Sequence, residues 1–335
     1  MPESILSPNS SQVQSTKVNA VKGNIFLKYE VILSLLIVAI VISMTIADPQ
    51  GFWSQSNINS LLVSISIVGI AAIGATLVIL TGGIDISAGS VLGLVCTVVA
   101  VCGQYNLPLF LIIILALATG CIAGLLNGYL VAFIKLPAVI VTLGTLSIWR
   151  AGVFTLLGGQ WGTNIPDEFS KWFIMTKILG IPLCFWLVVI LVLIFGYLMR
   201  NRKWGRYIYA LGNNEEATIF FGLPTKRILL LVYFLSGLLV SIAAFFSLGQ
   251  SPTVQPSTGQ GFELSTIAAV VIGGTAITGG RGSIIGGLLG AILVELVKDA
   301  IILFHIQPFW TGVAIGTMII VAVLASLSTK KGGAN

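Results

Sequence analysis

Long apolar runs alternate with short polar breaks along almost the whole chain. Within a few residues the runs cover 31–47, 58–80, 87–103, 108–133, 137–157, 178–199, 228–249, 264–280, 283–304 and 309–327. Most approach the ~20 apolar residues that an α-helix needs to cross hydrocarbon. The pattern therefore predicts an all-α, polytopic membrane protein of about ten transmembrane helices. The runs 87–103 and 264–280 are glycine-rich and short. One long interruption, Arg200–Arg227 (RNRKWGRYIYALGNNEEATIFFGLPTKR), is polar and charged, yet it carries Tyr207, Tyr209, Phe220 and Phe221. Such a segment is either a solvated loop between spans or a folded docking surface for a partner.

Charge fixes the orientation. Lys17, Lys22, Lys28, Lys135, Arg281, Lys330, Lys331 and the cations of 200–227 all fall on one side if crossings alternate, leaving Lys171 and Lys177 on the other. An excess of Lys and Arg marks the cytoplasmic face. Both termini are accordingly expected in the cytoplasm. Residues 1–30 are expected to form a disordered cytoplasmic tail, 31–327 a single transmembrane domain that includes the cytoplasmic segment 200–227, and 328–335 a short cytoplasmic tail.

Composition agrees with this picture. Of 335 residues 56% are hydrophobic and 8% charged, with mean hydropathy +1.05, against about 25% charged in a soluble domain. The net charge of +6 follows from topology and is no signal for nucleic acid. Cys96, Cys102, Cys121 and Cys184 lie in or beside apolar runs with no metal spacing, and His305 stands alone; no metal or other cofactor is expected. There is no G-x-x-x-x-G-K-[ST] loop, so any ATP hydrolysis by a phosphate-binding loop belongs to another subunit.

Much of the glycine recurs at helical spacing: Gly89 and Gly93; Gly120, Gly124 and Gly128; Gly282, Gly286 and Gly290; Gly312 and Gly316. In lipid such faces let helix backbones approach closely. The pentapeptides GSVLG (89–93) and GSIIG (282–286) each follow a glycine-rich break, GGIDISA and GGTAITGGR. Paired broken helices of this kind mark the pathway in many transporters, although five small and aliphatic matches also arise by chance.

Charged groups inside apolar runs are costly and therefore informative. Asp85, after Gly82-Gly83, either caps the following helix or lines a pathway. Arg150 either reaches a watery cavity or extends to the membrane surface. Glu295, Lys298 and Asp299 share one helical face, where the lysine can neutralise either acid. They form a structural ion pair or line the translocation path.

Four ordered motifs, TLVILTGGIDISAGSVLGL, LPAVIVTLGT, GRYIYALGNNEEA and GFELSTIAAVVIGGTAITGGRGSIIGGLLGA, resemble the permease subunits of bacterial ABC importers for monosaccharides, the group of ribose, galactose, xylose and autoinducer-2 permeases. The likeness runs from about Leu61 to the last span. It implies a multi-pass subunit of the bacterial inner membrane that is not itself an enzyme. It also implies a second permease copy or sister permease, cytoplasmic ATPase subunits, an extracytoplasmic solute-binding protein and a small sugar as substrate. Glu216 and Ala217, with Gly222 six residues after the glutamate, are similar to the EAA-type segment that sits in a cleft of the ATPase, with Thr218 where a second alanine is usual. On that resemblance Arg206, Glu215, Glu216, Ala217 and Gly222 are the expected coupling residues, and Asp85, Arg150, Glu295, Lys298 and Asp299 the pathway candidates. Ribose permeases look uncharged at the last three positions, a departure that weakens transfer of a sugar site to that face. The competing reading is an ion-coupled secondary transporter of a small polar solute, which requires an intramembrane acid that no base neutralises.

Overall fold

A computed structural model describes residues 22–331, with side chains over 30–324. Its helices are α1 (Lys22–Ala47), α2 (Pro49–Phe52), α3 (Gln55–Leu80), α4 (Ala88–Gln104), α5 (Leu109–Ala132), α6 (Ala138–Leu157), α7 (Glu168–Ser170), α8 (Leu183–Asn201), α9 (Lys203–Asn213), α10 (Glu215–Phe220), α11 (Thr225–Gln250), α12 (Phe262–Ile272), α13 (Ile284–Leu303) and α14 (Trp310–Lys331). A π-helical turn, Lys171–Met175, and a two-stranded hairpin of β1 (Lys177–Ile178) and β2 (Ile181–Pro182) precede α8. Every apolar run contains a helix. Six helices among the described residues are long and apolar enough to cross a membrane: Glu30–Ala47 within α1, then α3, α5, α6, α8 and α11.

The bundle is built around α3 and α11. α3 is apolar on all sides and buried from Ser66 to Leu80 without a gap, the signature of a helix surrounded by protein. It packs against α11, α13, α12 and α8, while α11 also packs against α5 and α4. The peripheral helices reverse the soluble pattern, turning large apolar side chains outward: Leu35 and Ile42 on α1, Phe110 and Ile122 on α5, Ile140 and Ile148 on α6, Leu193 and Ile194 on α8, Ile320 on α14. Apolar surface on this scale calls for a cover of lipid or of another membrane subunit.

Glycine sets the closest contacts. A methyl group on Gly124 would lie 2.3 Å from the Tyr233 carbonyl oxygen, and one on Gly237 would lie 2.1 Å from that of Gly120. Thus α5 and α11 touch backbone to backbone through the glycine face at 120, 124 and 128. Gly286 and Gly290 of α13 press on Gly273 and Ala269 of α12 in the same way. Gly312 and Gly316 differ, since among the described residues nothing lies within 4 Å of a methyl group built there.

Two expected boundaries move. The run 264–280 is helical only to Ile272. Gly274, Gly279 and Gly280 adopt left-handed backbone conformations that end it. At 1.5 Å per residue, the 11 residues of α12 span only ~16 Å, about half the hydrocarbon thickness. The run 178–199 begins its helix at Leu183, after a hairpin whose Leu179 and Gly180 have positive φ. At the N-terminus α1 already starts at Lys22, inside the expected tail; the remainder of that tail, 1–21, lies outside the described residues, as does 332–335 of the C-terminal tail.

Candidate functional site

The segment 200–227 folds into α9 and α10 at one end of the bundle. α9 buries Gly205, Ile208 and Leu211 and exposes Arg206, an amphipathic helix lying on the bundle's end. Asn214 alone joins it to α10: its amide N–H donates to the Ala210 carbonyl at 3.1 Å, and its side-chain oxygen accepts from the Ala217 N–H at 2.9 Å. One residue thus ends α9 and caps α10, leaving little slack between them. Glu215 and Glu216 occupy the first turn of α10, where carboxylates suit the helix dipole. Ala217 is half-buried and Thr218 fully buried, its hydroxyl donating to the Asn214 carbonyl. Gly222 has φ 71°, so it makes the turn back into α11 that a side chain would strain.

Beyond these expected residues the structure adds an apolar tip. Phe220 is 87% exposed, Phe221 77% and Ile219 52%. Two adjacent exposed phenylalanines beside two exposed glutamates suit a protein cleft better than water. Between α10 and the bundle lies a cavity of about 600 Å³, lined by Glu215, Glu216, Lys135, Lys226 and, at its inner end, Tyr233. Lys135 and the segment therefore share one end of the molecule, as the charge pattern predicts.

The two glycine breaks meet at this same end. The Gly280 N–H donates to the Leu80 carbonyl at 2.9 Å, joining the loop after α12 to the end of α3. The last turn of α9 rests on that junction. Tyr209 Oη donates to the Gly282 carbonyl at 3.0 Å, and Asn213 Nδ2 donates to the Gly280 carbonyl at 3.3 Å and to the Tyr209 carbonyl at 2.7 Å. Burial pushes the Tyr209 phenol up from its ordinary value, further from neutral pH, where it is a donor in any case. No local sequence pattern announces these contacts; the only signal is a glycine, Gly212, beside an asparagine at the end of an amphipathic helix.

The five membrane-depth candidates fall into three places. Asp85 is buried in the first break, accepting from the Ser87 N–H at 3.0 Å, from Ser87 Oγ at 2.6 Å and, more weakly, from Ser236 Oγ at 3.4 Å. It closes the turn that precedes α4 but does not cap the helix itself: the N-cap position is Ser87, and no side chain accepts from the first helical N–H groups of α4. Asn127 Nδ2 donates to Ser87 Oγ at 2.8 Å, while Asn127 Oδ1 and Tyr233 Oη are buried without a protein partner. Arg150 Nη1 donates to the carbonyls of Thr258 at 2.6 Å and Pro256 at 3.2 Å. The loop it holds packs on α4: a methyl group on Gly93 would lie 2.5 Å from the Thr258 carbonyl, and one on Gly89 would lie 2.3 Å from that of Gly259. Residues 255–261 thus pack on α4 half-buried, with Ser257 and Gln260 exposed, and the short α12 begins directly after them at Phe262.

Glu295, Lys298 and Asp299 do not converge on one point. Lys298 Nζ lies 2.6 Å from Glu295 Oε1, and Glu295 is 6% exposed. Asp299 Oδ2 accepts from Asn57 Nδ2 of α3 at 3.0 Å. Glu295 and Lys298 pair within α13, while Asp299 ties α13 to α3 through the neutral Asn57 amide; with one lysine for two acids, the face retains one negative charge.

The family described as "Branched-chain amino acid transport system / permease component" matches residues 57–323. The chain belongs to this family. It is therefore a transport permease, a multi-pass protein of the inner membrane, and its helices are those of a membrane subunit. Among curated relatives, the permease is 35% identical to the ribose import permease protein RbsC of Haemophilus influenzae over 92% of this chain and 96% of that one. It is 34% identical to the ribose import permease protein RbsC of Escherichia coli K12, over 87% and 92%. It is 32% identical to the autoinducer 2 import system permease protein LsrC of Yersinia pseudotuberculosis serotype O:3, over 81% and 77%. No solved structure matches the permease.

Proposed function

We propose that the permease is the transmembrane pathway subunit of an ATP-driven, binding-protein-dependent importer of a monosaccharide or similar small polyol. The relatives that match nearly the whole chain import ribose and autoinducer 2, as their names state. The observation that carries the coupling part of this reading is α10, with Phe220 and Phe221 exposed beside Glu215 and Glu216. In this reading α10 seats in a cleft of a cytoplasmic ATPase, with Glu216, Ala217 and Gly222 shaping the helix and turn, and with Glu215 and Arg206 on the exposed rim. The end bearing 200–227 is then cytoplasmic. With about ten crossings both termini share that side, and four further passages, through α4, through α12 together with the segments on either side of it, through α13 and through α14, complete the six long apolar helices.

The partners that follow are a pair of ATPase subunits, an extracytoplasmic binding protein and a second copy of the permease or a sister chain. ATP binding can switch the pathway only through contacts that differ between its two states. The ion-coupled alternative loses Glu295, which is paired with Lys298, and would have to rest on Asp85 or on Asp299, whose partner Asn57 is a neutral amide.

The reading is tested by purifying the tagged permease in mild detergent, identifying its companions by mass spectrometry and assaying the eluate for ATP hydrolysis. An ATPase subunit whose activity rises with binding protein and sugar supports it. Recovery of the permease without any ATPase under several detergents would refute it.

A further inference from the structure

The coupling reading leaves open how a push on α10 reaches the spans, and the junction at the end of α9 supplies the link. α10 is joined to α9 through Asn214 alone, which ends one helix and caps the other, so a displacement of α10 is passed to α9 over a single residue. α9 in turn ends on both glycine breaks at once. A methyl group on Gly212 would lie 1.8 Å from the Leu80 carbonyl oxygen and 2.5 Å from the Gly280 nitrogen, the two atoms whose hydrogen bond joins the breaks. One on Gly279 would lie 2.8 Å from the Gly82 nitrogen and 3.0 Å from the Gly212 carbonyl oxygen. Three backbones therefore meet with no side chain between them, and each break leads within a few residues into a helix, α4 or α13, that begins beside its pentapeptide GSVLG or GSIIG. Close-packed contacts of this kind shift between discrete arrangements and do not deform smoothly.

Resting on the coupling reading, we propose that Tyr209 and Asn213 are positioning residues for ATP-driven transport: through their bonds to the Gly282 and Gly280 carbonyls they tie α9 to the second glycine break, which the Gly280–Leu80 hydrogen bond joins to the first, so that one movement of α10 shifts the entries of α4 and α13 together. Neither side chain belongs to the docking surface on α10, and neither touches the ATPase or the solute in this scheme. Their removal separates hydrolysis from transport and leaves assembly intact.

The test uses the complete transporter, with its ATPase and binding protein, in proteoliposomes. Tyr209→Phe keeps the ring and deletes one hydrogen bond; Tyr209→Phe with Asn213→Ala deletes both links to the second break. The readout is solute imported per ATP hydrolysed, which a merely structural role would leave unchanged. Two neutral hydrogen bonds predict a roughly tenfold fall in that ratio for the double variant, and a several-fold fall for Tyr209→Phe, with ATPase binding retained. A ratio equal to that of the unaltered transporter, or uptake and hydrolysis falling in parallel, overturns the proposal. If the double variant does not fold, Tyr209→Phe decides on the same ratio. Failure of the underlying reading looks different, since then the unaltered permease recruits no ATPase at all.

Discussion

Replacing Lys298 by methionine removes the base from a pair whose acid is almost wholly buried. Glu295 is 6% exposed and its Oε1 lies 2.6 Å from Lys298 Nζ, while the lysine side chain keeps 24% of its surface open. The Asp299 carboxylate is engaged by Asn57 at 3.0 Å and offers the stranded glutamate no compensation. Breaking a buried pair from one side costs about 3–5 kcal/mol, and the partial exposure of the lysine places this site toward the lower end. Removing both charges together, with Glu295→Leu and Lys298→Met, avoids the stranded charge and is expected to be near neutral, because the energy of desolvating two ions offsets most of their attraction. The assay is thermal inactivation of the detergent-purified permease followed by size-exclusion chromatography, applied to the two single variants and the double as a cycle. A Lys298→Met variant markedly less stable than the double confirms a dry, self-neutralising helix contact. Additive single effects that are all small would refute the reasoning and make this face water-filled, as a translocation pathway would be.

Other positions give sharper but narrower outcomes. Asp85→Asn keeps an oxygen to accept from the Ser87 N–H, so ATP-driven uptake should survive it while Asp85→Leu abolishes uptake; loss with asparagine alone in a transport assay would favour ion coupling. Gly124→Leu drives a side chain into the Tyr233 carbonyl, 2.3 Å from the first added carbon, and should abolish accumulation of folded permease on a fluorescence size-exclusion profile. Arg150→Ala frees the Thr258 and Pro256 carbonyls, and limited proteolysis should then cut within 255–261 at least several times faster, an unchanged rate counting against the anchoring role.

The sequence already contained most of the architecture, because a span of ~20 apolar residues has few fates other than a membrane helix. Each run yields its helix. What periodicity misses is where a glycine-rich run stops: α12 ends at Ile272 because Gly274, Gly279 and Gly280 adopt positive φ, and nothing in composition separates such glycines from those of the α5–α11 contact. The site was legible in part. The shared helical face lets Lys298 pair with either acid, and it pairs with Glu295; Asp85, expected as a cap of α4, instead closes the turn before it through the Ser87 N–H. The partners of Arg150 and the resting place of Tyr209 were not legible, since Thr258 and Gly282 are 108 and 73 residues away and backbone carbonyls leave no trace in a sequence. The exposed pair Phe220 and Phe221 was visible as aromatic residues among charges, although only the fold shows them turned outward.

The most direct test of the central claim is uptake of the radiolabelled monosaccharide that its binding protein takes up, into proteoliposomes that hold the permease, its ATPase on the lumenal side and binding protein outside. With ATP enclosed and no ion gradient, the account predicts accumulation of sugar that stops when ADP replaces ATP or when Glu216→Lys disables the coupling helix. Accumulation that follows an imposed proton or sodium gradient, and is indifferent to ATP, would contradict it.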